Sequence, residues 1–227
     1  MTHRTVVVAL PGLGLGPESW RPTLELLPPE VEPTVHLFPG FGQPASRGLD
    51  LAPRALASAV RDALPDGREQ VVLLAHSASC QVAAHVAALA PERVASLVLV
   101  GPTTDPRAAS WPGLVRRWLP TALHERPAQG PVLLRQWANT GLPSMVRAMD
   151  AARRDDLLRT LDGVGAPVVV VRGSHDAICP ADWAEAVARR GAPGSRAVTL
   201  GSGAHMVPWT QGPLVAPLVG EVFASVQ

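Results

Sequence analysis

The sequence predicts an α/β fold: a three-layer, doubly wound, mainly parallel six-stranded sheet with a helical cap inserted into it. Six short apolar, β-branched runs recur along the 227 residues and alternate with amphipathic segments of helical length. One interval, 106–160, breaks that alternation. Composition sets the scale, because 47% apolar residues, 17% charged residues and a net charge of +1 describe one globular domain rather than a disordered chain.

The strand candidates are Thr5 to Leu10, Pro33 to Phe38, Gln70 to Ala75, Val94 to Val100, Pro167 to Arg172 and Ser195 to Leu200. Each is continuous and stops at Gly, Pro, His or Ser, the pattern of a strand buried on both faces. Helices are expected at Leu51 to Leu64, Ala78 to Leu89, Ala181 to Arg190 and Leu214 to Ala224. From Pro106 to Thr160 no strand-like run occurs, and Trp111, Trp118, Trp137, Met145 and Met149 stand among arginines in helical segments broken by Pro and Gly. The expected organisation is a core of 1–105 and 161–227 with a helical cap of 106–160. Such a cap covers the carboxyl edge of the sheet, where open α/β sheets bind ligands.

Composition also narrows the chemistry. All 20 basic residues are Arg and there is no Tyr, which excludes a Walker lysine, a Schiff-base lysine and a tyrosine acid or base. The near-zero net charge argues against a nucleic-acid partner. No stretch approaches the roughly 18 apolar residues of a membrane span, and Met1 to Val8 lacks the basic flank and cleavage site of a leader, so a cytoplasmic protein without a membrane partner is expected. Cys80 and Cys179 are too few for a disulfide scaffold or a cysteine-rich metal site, and neither metal nor cofactor is expected. A glycine-rich run, Gly12 to Pro17, fails as a dinucleotide fingerprint because Pro17 stands at its third glycine and no ribose-binding acid follows Phe38.

Ser, His and carboxylates remain. The third strand runs into Ala75-His76-Ser77-Ala78-Ser79 and then a helix, the setting of a strained elbow that exposes its central serine. The flanking residues must be small because the turn presses them together. Ala75 and Ser79 satisfy this while replacing the glycines of G-x-S-x-G. Asp176 follows the fifth strand in Gly173-Ser174-His175-Asp176-Ala177-Ile178-Cys179-Pro180, and His205 follows the sixth in Gly201-Ser202-Gly203-Ala204-His205. Asp176 is also readable as a helix N-cap, and Asp105, after the fourth strand, is the rival acid. His76, His85 and His175 read as packing or solvated residues, and Cys80 as a small buried apolar one. Cys179 lies in the acid loop, beside the expected pocket.

With its elbow, the G-x-x-D-x-x-x-P run and the chain order Ser77, Asp176, His205, the sequence resembles an α/β-hydrolase-fold enzyme over essentially its whole length. Leu10-Pro11-Gly12-Leu13-Gly14 stands where that family has a His-Gly oxyanion loop, with Pro11 replacing the His, and Pro39-Gly40-Phe41-Gly42 resembles its P-G-H-G turn. The resemblance implies oxyanion donors at the backbone N–H groups of Leu13 and Ala78. It also implies a sheet trimmed of the family's first antiparallel strand pair, with the second strand at one edge beside the first. A lid over an ester site needs apolar walls. Trp111, Trp118, Trp137 and Met145 of the cap, with Ile178 and Met206, are the candidates, although the cap residues also suit a small helical core.

The expected activity is hydrolysis of a small carboxylic ester through an acyl-enzyme intermediate. A thioesterase or other acyl-transfer enzyme, a C–C bond hydrolase and a non-catalytic binding protein on the same fold are the alternatives. The cap carries nine Arg against four acids while the rest carries eleven against fifteen. This asymmetry suits an anionic substrate, an acyl carrier protein or a CoA thioester, and equally suits a solvated helix face written in arginine.

Overall fold

The structure, a computed structural model, describes residues 5–65 and 69–227; residues 1–4, part of the stretch read above for a leader, lie outside them. The chain begins with β1 (Thr5–Leu10), a 3₁₀ turn and α1 (Arg21–Leu24), followed by β2 (Pro33–Val35) and a ribbon of β3 (Phe38–Pro39) and β4 (Gly42–Gln43). Next come α2 (Pro53–Asp62), β5 (Gln70–His76), α3 (Ser79–Leu89) and β6 (Val94–Val100). Four helices follow, α4 (Trp111–Ala122), α5 (Gly130–Thr140), α6 (Leu142–Ala152) and α7 (Leu157–Leu161). The chain then returns through β7 (Val168–Arg172), α8 (Ala181–Ala188), β8 (Arg196–Thr199), α9 (Val207–Thr210) and α10 (Gly212–Ser225).

The main sheet has the order β2-β1-β5-β6-β7-β8 and every pairing in it is parallel. Side chains alternate across it, as the twofold period of a strand requires. Val6, Val8 and Leu10 of β1, Leu73 of β5, Leu97 and Leu99 of β6 and Val170 of β7 join the core shared with α2, α3, α7 and α8. Val7, Ala9, Leu74, Val98, Val100 and Val171 join a second core with Trp20 and the helices α9 and α10. Burial on both faces is why the central strands read as unbroken apolar runs. β2 and β8 depart from that expectation: as edge strands they are partly exposed. β2 is also shorter than the run Pro33 to Phe38: past Val35 the His36 N–H still donates to Ala9 O of β1 at 2.9 Å, and Phe38 enters the separate ribbon.

The chain goes outward from β1 to β2 and then crosses to β5 on the other side of β1. This reversal opens a crevice at the carboxyl ends of β1 and β5. Helices α4 to α6 lie between β6 and β7 in sequence. α6 is fastened by Gln81 Nε2, which donates to Ala152 O at 2.8 Å, and by Ala45 N–H, which donates to Ser144 Oγ at 2.9 Å. Leu157 and Leu161 of α7 lie in the core shared with α3 and α8.

Leu97 is fully buried in the centre of the sheet, so its truncation leaves a cavity there. Leu97→Ala is expected to lower the unfolding free energy by about 2–5 kcal/mol, read as a shift in urea midpoint at constant slope.

Candidate active site

Ser77 is the only described non-glycine residue at positive φ, 60°, a strained conformation for an L-residue that functional sites retain. The strain is held locally. Ser79 Oγ accepts from His76 N–H at 3.0 Å and lies 3.1 Å from Leu10 O and 2.9 Å from His76 O, so the residue replacing the second elbow glycine ties the elbow to the end of β1. Ser77 N–H donates to Val100 O at 2.9 Å.

Asp176 and His205 leave the neighbouring strands β7 and β8, and His205 Nδ1 donates to Asp176 Oδ2 at 2.8 Å. The other carboxylate oxygen accepts from Ile178 and Cys179 N–H at 2.9 and 3.0 Å. Arg172 braces the acid loop from below, donating to Asp176 O and Cys179 O at 2.9 and 2.6 Å. Two glycines make the approach possible. A Cβ on Gly101, whose φ is +56°, would stand 2.9 Å from the His205 ring, and one on Gly173 would stand 2.3 Å from Ala204 O. Burial draws the His205 imidazole down, but the charge and hydrogen bond of Asp176, with the charge of Glu125, hold it above its ordinary value.

Asp105 is engaged elsewhere. It is buried and accepts from Arg107 and Arg117, each at 2.7 Å, while Arg117 also donates to Ala177 O at 3.3 Å. Its backbone-facing oxygen accepts from Arg107 N–H and caps the next 3₁₀ turn. His85 pairs with Asp155 at 2.9 Å, and His175 stacks on His124. Cys80 and Cys179 are free and buried, and burial pushes both thiols well up. Cys179 lies outside the wall of the cavity described next.

A cavity of about 440 Å³ opens over Ser77 and His205. Leu13, Trp111, Trp118, Trp137, Met145, Ile178 and Met206 all line it. Trp111, Val115 and Trp118 are also 41%, 53% and 52% exposed, which places its mouth along α4. Trp137 and Met145 pack directly against Gly14, where a Cβ would come within 2.9 Å of both. Gly14 N–H donates to Gly40 O at 2.9 Å, so the Pro39–Gly42 turn supports the Gly12–Gly14 loop. Among the described residues, the N–H groups of Leu13 and Ala78 donate to no protein acceptor. Leu13, Ser77 and His205 line one cavity, so two free N–H donors, a half-buried serine and a carboxylate-oriented imidazole are available to it, the parts an acyl-transfer centre needs.

Sequence reasoning missed Glu125. From the turn after α4 it reaches His205 N–H and Met206 N–H with one oxygen, at 2.7 and 2.8 Å. It also missed the Asp105–Arg117 tie, and it took His76 for packing, although that ring lines the cavity and lies 4.9 Å from the ring of His205. The only signal for Glu125 was its rarity as an acid in an arginine-rich cap. No group of three or more His, Cys, Asp or Glu suited to a metal ion occurs among the described residues, and no helix there is long and apolar enough to cross a membrane.

The chain is 28% identical over 220 residues to the pimeloyl-[acyl-carrier protein] methyl ester esterase of Aromatoleum aromaticum, covering 83% of this chain and 86% of that one. It is 32% identical over 195 residues to the enzyme of the same name from Neisseria meningitidis serogroup B, with 74% and 73% covered. A thermophilic esterase, at 18% identity and TM-score 0.76, covers 99% of this chain and 91% of its own. The enol-lactonase of Burkholderia xenovorans, at 17% and 0.74, covers 99% and 92%, and both structures speak to the fold alone. A model of the alpha/beta hydrolase family matches residues 7–221, from the first strand to the last helix, and the chain belongs to that family.

Proposed function

We propose that the protein is a serine carboxylesterase working through an acyl-enzyme. The observation that carries this is the 2.8 Å bond to Asp176 Oδ2 from Nδ1 of His205, a histidine that lines the same cavity as a serine held at φ 60°. With Nδ1 protonated towards Asp176, Nε2 is the free base. His205 takes the Ser77 proton as Oγ attacks the ester carbonyl, and the N–H groups of Leu13 and Ala78 receive the oxyanion. Collapse expels the alcohol, which takes the proton back from His205. Water, deprotonated by His205, then attacks the acyl-enzyme, and the acid leaves as Ser77 regains its proton.

The finer reading is an ester whose apolar acyl chain fills the cavity while an anionic carrier stays outside. The apolar wall supports the first half and the relatives' names the second. Most of the basic surplus of the cap is already committed: Arg107, Arg117, Arg135, Arg147, Arg153 and Arg154 bond to protein acceptors. Among the described cap residues, Arg116, Arg126 and Arg159 are exposed and their side chains have no protein partner. They are the ones available to an acidic surface.

A fluorophosphonate probe is expected to label Ser77 and to leave Ser77→Ala unlabelled. Asp176→Asn should lower kcat by about 10³–10⁴, whereas Asp105→Asn should stay within about tenfold, the loss of an anchor rather than of the histidine's partner; the reverse order would reassign the acid. Because His205 must be neutral to act, kcat/KM should rise with pH along an acid limb centred above 6.5, the ordinary histidine value. Reversing charge in Arg116→Glu/Arg159→Glu should weaken kcat/KM about three- to tenfold for a carrier-linked ester, leave p-nitrophenyl butyrate unchanged, and flatten the salt dependence of the former.

A further inference from the structure

The main chain of His205 is gripped on both sides by side chains that the chemistry itself does not use. Its N–H donates to Glu125 Oε1 at 2.7 Å, and Met206 N–H donates to the same oxygen at 2.8 Å. Its carbonyl accepts from His76 Nε2 at 3.0 Å. Glu125 comes from the cap and His76 immediately precedes Ser77, so the grip joins three separate parts of the molecule.

Neither side chain has a competing polar partner. Glu125 Oε2 and His76 Nδ1 are both buried without a hydrogen bond, so each residue bears a desolvation cost that only its bond to the His205 segment offsets. Burial, with the nearby charge of His205, pushes His76 down to about 3, which keeps the ring neutral with its one proton on Nε2. Burial raises the Glu125 carboxyl, and the two N–H donors and the charge of His205 oppose that rise.

We propose that Glu125 and His76 are positioning residues that clamp the backbone of His205, set the reach of its imidazole towards Ser77, and couple the seating of the cap to catalysis. The proposal rests on His205 being the base of the serine hydrolase described above. A clamp predicts loss of rate without loss of binding, and rescue by any residue that restores the acceptor. An effect of the Glu125 charge on the imidazole would also alter the rate, but predicts no rescue by an uncharged acceptor.

Glu125→Ala, Glu125→Gln and His76→Phe, compared with the parent on p-nitrophenyl butyrate, test it. Glu125→Ala and His76→Phe should each lose about 10- to 100-fold in kcat with KM within threefold, and their combination should lose less than the product of the two. Glu125→Gln, whose amide oxygen still accepts both N–H groups, should stay within threefold. The low-field proton NMR signal of His205 Nδ1–H should broaden in the two damaging variants and persist in Glu125→Gln. That signal needs no turnover, so a parent protein that shows it but neither turns over nor labels would sink the hydrolase reading while the clamp is still judged. If Glu125→Ala does not fold by circular dichroism, His76→Phe, which keeps a ring in place and removes only the donor, decides alone. The clamp is overturned if the folded variants keep kcat within threefold and an unchanged signal, or if Glu125→Gln is as damaged as Glu125→Ala.

Discussion

In the reading proposed above, the bond between His205 and Asp176 is what lets a serine hydroxyl, a weak nucleophile at neutral pH, react. Much of the surrounding structure serves that contact. β7 and β8 are paired in parallel, so their carboxyl ends deliver the two loops side by side. Gly173 lets the loops touch backbone to backbone, and Gly101 leaves room for the imidazole. The buried carboxylate accepts two backbone N–H groups besides the imidazole, and Arg172 spans the loop beneath it. A buried charge is tolerable only with such company.

The fold was legible where burial is two-sided. β1, β5, β6 and β7 have cores on both faces, so apolarity alone marks them. It was less legible at the rim, where β2 stops early and residues 38–43 form a ribbon too short for any periodic signal. The placing of Asp176 and His205 on loops after strands was legible too, whereas the pairing of β7 with β8 that makes those loops neighbours was not. The preference for Asp176 over Asp105 rested on the G-x-x-D-x-x-x-P resemblance, because both follow strands; in the structure Asp176 accepts from His205 while Arg107 and Arg117 hold Asp105. Glu125 and His76 were invisible for a different reason: they bond to backbone atoms 80 and 129 residues away, and a partner that is main chain leaves no residue type to search for.

Charge counting needed a similar correction. The arginine surplus of 106–160 looks like a basic lid in the sequence, yet most of it is used internally, in ties such as Arg117 to Asp105 and Arg147 to Ser46 O. Net charge describes a surface only after its internal pairs are subtracted. On α4 and just past its end, Val115, Trp118, Leu119 and Leu123 are exposed alongside Arg116.

The hydroxyl of Ser79 has a wider consequence. By tying the elbow to the carbonyl of Leu10, it references the nucleophile to the same strand end that carries the Gly12–Gly14 loop. His205 is referenced partly to the cap, through Glu125. Residues 106–160 thus reach the centre at more than one point: at His205 through Glu125, at the acid loop through Arg117, which donates to Ala177 O, and at the Gly12–Gly14 loop, against which Trp137 and Met145 pack. A change in the seating of those helices is felt on both sides of the cavity, while the serine elbow keeps its own tie to β1.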